Sequence, residues 1–167
     1  KTWIGGCLDD QGNARAQNLA TNVYNGVTRK LPNSIFACQY DDPINCERCK
    51  QTVTPLSTTT NIPIIFDYGY RKVLGGNSGA AKAIKKELEE VDTVVVAWEH
   101  NNINDLTVAL GVDESLVVDW ADSDYDTIYE VSFDENGVVN GFAITAENFH
   151  FDGVEVSSNL RGSVASK

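Results

Sequence analysis

Residues 93–98, Thr-Val-Val-Val-Ala-Trp, form a short, nearly all-apolar and β-branched run without polar alternation, the pattern of a strand covered on both faces in a parallel sheet. Such a strand has no solvent side. Glu99, His100, Asn101 and Asn102 follow at once, then Ile103, Leu106, Val108 and Leu110 on one helical stripe, with Gly111 placed to end that helix. The stretch is therefore a strand, a polar turn and a helix. Open α/β sheets place their ligand sites at the carboxyl ends of parallel strands, and Asn101 or Asn102 can cap a helix whose amino end favours anions. His100 is the best-placed reactive side chain in the chain.

The same alternation runs upstream. Residues 1–7 are expected to be a loop, and Asp9 or Asp10 caps a helix over about residues 11–25 with Ala16, Leu19, Ala20 and Val23 inward. A short apolar strand is predicted at 34–38, a polar loop at 39–45, and a second helix over about 45–58 in which Pro55 marks a kink or boundary. A strand at 62–66 carries Pro63 near its start, an edge or entry position. After a loop bearing Tyr68, Tyr70 and Arg71, Ser78 caps a helix to about residue 90 whose Lys and Glu run is a solvated face. Beyond the 93–98 strand lies an acidic irregular stretch. Then residues 125–133 and 138–146, joined by Asp134-Glu135-Asn136-Gly137, form an antiparallel hairpin expected on one edge of the parallel sheet. Phe149, Phe151, Val154 and Val156 are available to cover that edge. The fold class is α/β, a single domain over 1–156 with a loose polar tail at 157–167.

A net charge of −11 on 167 residues argues against binding to a phosphate backbone or to anionic membranes. No apolar run reaches the roughly 20 residues that cross a bilayer. The sequence opens on Lys1, contains no Met and has four cysteines, at 7, 38, 46 and 49. That combination predicts a processed or trimmed secreted protein with two disulfides, in which Cys46 and Cys49 each bond outward to Cys7 or Cys38. Zinc and redox readings of Cys46-x-x-Cys49 are weaker, since zinc would need Cys7 and Cys38 to converge on the same point and a redox motif normally stands without two further cysteines. The Asp122, Asp124, Asp126 spacing lacks the glycine and closing Glu of a calcium loop, so no metal and no cofactor is expected. His150, between two phenylalanines, is expected to be structural.

Taken in order, four segments resemble the histidine phosphatase superfamily, the phosphoglycerate-mutase-like fold, in its secreted branch seen in fungi. Residues 94–103, Val-Val-Val-Ala-Trp-Glu-His-Asn-Asn-Ile, resemble the family's W-E-H-x-x-I strand and turn. Residues 8–16 resemble the opening of its first helix, residues 48–56 its R-x-x-[EQ]-T-x-x-P-L helix, and residues 120–128 the acidic run before its hairpin. The resemblance implies a three-layer α/β/α sandwich with a mostly parallel sheet and an antiparallel edge hairpin. It further implies that His100 and Arg48 correspond to the second His and second Arg of a phosphate site, with Glu99 as a weak candidate acid and Asn101 and Arg71 as further ligand contacts. Arg48 begins a helix where a phosphate would be welcome. The bland alternative has Arg48 paired with Glu47, Asp41 or Asp42, and Glu99 turned away from His100, because neighbours at a strand end point oppositely.

The family's Arg-His-Gly-Glu strand, whose His attacks phosphorus, has no counterpart in this sequence. The expectation is a secreted protein keeping a residual pocket for phosphate or a small phosphorylated ligand, without turnover. Its rivals are an active phosphomonoesterase with a catalytic strand upstream of Lys1, and a secreted effector or elicitor-type interaction protein. A central strand missing from the sheet would leave unpaired backbone groups, to be filled by another segment, by exchange or by a second protomer.

Overall fold

A computed structural model describes residues 3–4, 7–40 and 47–150. Residues 1–7, expected as a loop, instead contribute a small antiparallel pair, β1 (Trp3–Ile4) with β2 (Cys7–Leu8). Asp9 caps the first helix, α1 (Asp10–Asn18), its carboxylate accepting from the Gly12 amide at 2.9 Å, which satisfies one of the orphan donors of the first turn. The helix then widens into a π turn over Leu19–Val23, closed by the Tyr24 amide on the Leu19 carbonyl. Ala16, Ala20 and Val23 are buried as expected, while Leu19 is half-exposed.

The centre of the molecule is β3 (Ser34–Ala37), buried at all four positions. It pairs in parallel with β4 (Ile64–Ile65) on one side and β5 (Val94–Ala97) on the other, giving the order β4-β3-β5. Pro63 thus precedes an edge strand, where its missing donor costs nothing. The fully covered strand is β3. β5, expected to be enclosed, buries Val95 fully and Val94, Val96 and Ala97 in part, and has one hydrogen-bonded neighbour among the described residues.

Helix α2 (Arg48–Thr60) links β3 to β4, and α3 (Gly76–Glu87) links β4 to β5. Gly75, not Ser78, occupies the cap position of α3, with a φ of 88°. Pro55 lies inside α2 without ending it. Thr52, Thr54, Thr58 and Thr60 each turn the hydroxyl back onto the carbonyl one turn earlier, at 2.7–2.9 Å. Helix α1 packs on α2, and α3 packs on α4 (Ile103–Leu110), which ends at Gly111 with a φ of 109°. The core joins Ile35, Phe36, Val53, Leu56, Ala80, Ile84, Trp98 and Leu106.

The predicted hairpin forms as β6 (Thr127–Phe133) and β7 (Val139–Ala146), with Asp134 accepting from the amides of Asn136 and Val138 in the turn. Among the described residues it is a separate two-stranded sheet, not an edge of the parallel one. The fold is therefore mixed α/β with a small parallel sheet and an antiparallel ribbon. Charge ties the ribbon down. Arg15 Nη1 donates at 3.2 Å each to the Tyr125 carbonyl, Asp126 Oδ1 and Glu147 Oε2, and its guanidinium lies 4.9 Å from the Phe149 ring centre. Asn18 donates to the other Glu147 oxygen at 2.9 Å, and Arg29 pairs with Glu130. His150 is exposed; Phe151, Val154, Val156 and the 157–167 tail lie outside the described residues.

The cysteines depart from expectation. Cys7 is disulfide-bonded, but Cys38 and Cys49 are free thiols buried in the core, and Cys46 lies outside the described residues. Cys49 is bonded to neither Cys7 nor Cys38; its thiol is free, with its sulfur 3.2 Å from the Tyr40 hydroxyl in the first turn of α2. No helix among the described residues is long and apolar enough to cross a membrane.

Removing Arg15 leaves two carboxylates, one of them almost enclosed, without their cation, so Arg15→Ala is expected to cost about 3–5 kcal/mol in urea unfolding. Burial, opposed by Asn18 and Arg15, pushes the Glu147 carboxyl above its ordinary 4.5. A raised acid holds its proton in the folded state after the unfolded chain has released it, so this group's stabilisation is complete below 4.5 and is lost as pH rises through the folded value. Glu147→Gln should flatten the dependence of unfolding free energy on pH just above that point.

Candidate functional site

The carboxyl end of the sheet is assembled by register. Ala37 lies beside Ala97, and the Cys38 amide donates to the Ala97 carbonyl at 2.9 Å, so Trp98 and Glu99 emerge next to Cys38, Gln39 and Tyr40. From the other side the Gln39 amide donates to the Tyr68 carbonyl at 2.8 Å. Gly69 makes that crossing possible, since a Cβ there would stand 2.3 Å from the Gln39 carbonyl oxygen.

Glu99 is at the centre. Only 5% exposed, its carboxylate takes His100 Nδ1 at 3.1 Å and Arg48 Nη2 at 3.8 Å on the same oxygen. Asn101 Nδ2 donates to that oxygen at 3.2 Å, and Asn102 Nδ2 donates to the other at 2.7 Å. Strand alternation would have turned Glu99 away from His100. The chain instead enters a single 3-10 turn over His100–Asn102, which folds the imidazole back onto the preceding carboxylate. His100 Nε2 lies 3.9 Å from the exposed Asp122.

Arg48 is the first residue of α2, and its guanidinium also lies 5.1 Å from the Tyr40 ring centre. Glu47 pairs with Lys50 at 3.5 Å, and Asp41 and Asp42 lie outside the described residues. Tyr40 meets Tyr70 edge-on at 6.2 Å, and Arg71 Nε donates to the Tyr70 hydroxyl at 3.3 Å. Arg71 is thus linked to Arg48 through two aromatic rings and is itself exposed. Asn102 sits at the start of α4 but makes no side-chain cap; its amide serves Glu99 while its oxygen accepts from Asn77 at 3.1 Å. Asn77 in turn accepts the Trp98 indole N–H at 2.9 Å.

His100, Arg48, Glu99 and Asn101 therefore converge, and Arg71 lies at one remove. The Glu99 carboxylate lies between the Arg48 guanidinium and the His100 imidazole in this cluster. A concavity of about 540 Å³ lies elsewhere, lined by Tyr24, Leu31, Pro32, Thr59 and Ile62, with no charged side chain on its walls. Sequence reasoning missed Tyr40 and Asn77. Tyr40 is separated from Arg48 by a loop, and nothing local marks Asn77 as the link between Trp98 and Asn102.

Comparison with protein families, curated proteins and solved structures finds no match. Chemically, the cluster offers an imidazole oriented by a carboxylate through Nδ1, with its other nitrogen toward the surface, and a guanidinium held by a weak ion pair and a ring face. Among the described residues no group of three or more His, Cys, Asp and Glu side chains is arranged to hold a metal.

Glu99→Gln keeps the shape but presents an amide donor to a cluster composed of donors. It is expected to cost about 2–4 kcal/mol in denaturant unfolding, because a buried partner of charged groups is lost.

Proposed function

We propose that this chain is a histidine-phosphatase-like protein that retains an anion site for phosphate or a small phosphorylated ligand, without phosphatase turnover by the residues present. The observation that carries this reading is the convergence of Arg48, from the first turn of a helix, and His100, from the end of a parallel strand, on one carboxylate oxygen. In the proposed complex Glu99 keeps His100 Nδ1, so that Nε2 points at a phosphoryl oxygen. Arg48 leaves its long 3.8 Å contact for the bidentate geometry a phosphate offers. Asn101 and Arg71 complete the rim. Phosphoryl transfer through histidine also needs a second imidazole in line with the leaving oxygen and a general acid. The described residues bring no such imidazole to the cluster, since His150 is exposed after β7.

The finer architecture belongs to the same proposal. Helix pairs α1/α2 and α3/α4 would lie on opposite faces of one sheet, giving three layers in which the β6-β7 ribbon continues the parallel strands through one further strand. Two features support this: among the described residues β5 has a single paired neighbour and the ribbon pairs with none of the parallel strands. The same features favour the rival enzyme, in which that further strand carries Arg-His-Gly-Glu.

Calorimetric titration with inorganic phosphate tests the site. Arg48→Ala and His100→Ala should each weaken binding by about tenfold or more, as expected for the loss of one charge-assisted contact. Equal affinity in both variants and the parent would overturn the reading. Aryl phosphate is expected to remain intact over this chain. Finding Arg-His-Gly-Glu ahead of Lys1 in the natural protein, with hydrolysis abolished by His100→Ala, would decide for the enzyme.

A further inference from the structure

Trp98, Asn77, Asn102 and Glu99 form a chain of hydrogen bonds that runs from the core into the cluster, and its direction is set at one end. The indole N–H of Trp98 can only donate, so the Asn77 atom 2.9 Å from it is the oxygen. The Asn77 nitrogen is then left to face Asn102, whose oxygen accepts from it at 3.1 Å. That leaves the Asn102 nitrogen for Glu99 Oε2, at 2.7 Å. Each amide has one way round. Asn77, the second residue of α3, thus reaches the cluster through Asn102.

The other Glu99 oxygen extends the same logic to His100. Asn101 Nδ2 donates to Oε1 at 3.2 Å, so both oxygens receive amide hydrogens and the carboxylate acts as an acceptor only. His100 Nδ1 lies 3.1 Å from that same Oε1 and must bring its own hydrogen to it. A neutral imidazole carries hydrogen on one nitrogen and a lone pair on the other, so with Nδ1 committed it is Nε2 that is bare. Two further charges stand near the ring. Arg48 lies against Glu99 Oε1 at 3.8 Å, on the Nδ1 side, and the exposed Asp122 is 3.9 Å from Nε2, beyond hydrogen-bond length. The buried carboxylate, not the exposed one, therefore decides which nitrogen holds the hydrogen.

We propose that Asn77 is a positioning residue which, through Asn102 and Glu99, fixes His100 with its hydrogen on Nδ1, and that the anion site consequently takes an oxyanion carrying a hydrogen of its own. The ligand class is hydrogen phosphate or a singly ionised phosphate monoester. Its P–O–H donates to Nε2 of the neutral ring while Arg48 pairs with the oxygens that carry charge. Sulfate has the shape of phosphate but no hydrogen to give, and would set an oxygen against the Nε2 lone pair. The ligand half of this proposal rests on the phosphate reading above; the His100 half does not.

The test begins with the ligand-free protein labelled with heavy nitrogen. Long-range proton–nitrogen magnetic resonance tells a ring nitrogen that carries hydrogen from one that does not, and the chain has two histidines, so the exposed His150 serves as reference. At a pH where the His100 ring is seen to be neutral, hydrogen is expected on Nδ1; finding it on Nε2 would overturn the inference. Asn77→Asp keeps an acceptor for the indole but cannot donate, so the Asn102 amide turns over and sets its oxygen against Glu99. The ratio of the Nδ1 form to the Nε2 form should then fall about tenfold, with the Trp98 indole signal retained as a check on folding. An unchanged ratio would remove the role given to Asn77, and the parent measurement stands even if the variant fails to fold. Calorimetry at the same pH should find phosphate bound at least about tenfold more tightly than sulfate. Equal affinities would overturn the ligand half while leaving the phosphate site in place. Binding of neither anion would overturn that site and the ligand half together, and the position of the hydrogen on His100 would still judge the rest.

Discussion

The in-register pairing of Ser34, Ile35, Phe36 and Ala37 with Val94, Val95, Val96 and Ala97 is the constraint on which this molecule turns. Side chains alternate along a strand, so a slip of one position would reverse every one of them. Correct register delivers Cys38 and Glu99 side by side at one end of the sheet, with the loop after β4 crossing over them. The meeting of Glu99 and His100 with Arg48 at that end rests on four aligned pairs.

A different force holds the rest. The β6-β7 ribbon has no ladder to the parallel sheet among the described residues; besides Phe133 packed on the core and the Tyr129 hydroxyl on Asn104 and Val118, its connection runs through Arg15, Arg29 and the carboxylates they meet. Ion pairs of this sort lock orientation without adding much net stability, because desolvation offsets most of the attraction. The buried Arg15 Nε has no hydrogen-bond partner, a further sign that the junction is polar by design of position and not optimised for strength.

Much of this was legible. The β-branched runs announced the parallel strands, Asp9 announced α1, and Asp134 with Gly137 announced the hairpin, because each signal is local and strong. The convergence of Arg48 and His100 was implied by the family resemblance, which set one at a helix start and the other at a strand end. What stayed hidden depends on distant partners. Nothing near β5 says that β3 would be the enclosed strand. Cys38 and Cys49 are free thiols in the core, where an even cysteine count suggested two bridges. The fold-back of His100 onto Glu99 required a 3-10 turn that no residue in His100-Asn101-Asn102 demands.

Helix α2 carries one more implication. Its sequence, with six hydroxyl residues and a proline in thirteen positions, is a poor helix former, and four of its threonines bond to their own helix instead of reaching neighbours. Val53 and Leu56, pressed into the core, must supply what the backbone lacks. An excised peptide of this segment would be a coil. The guanidinium at its head thus has no address of its own: it arrives where it does only once the whole interior has closed around the segment behind it.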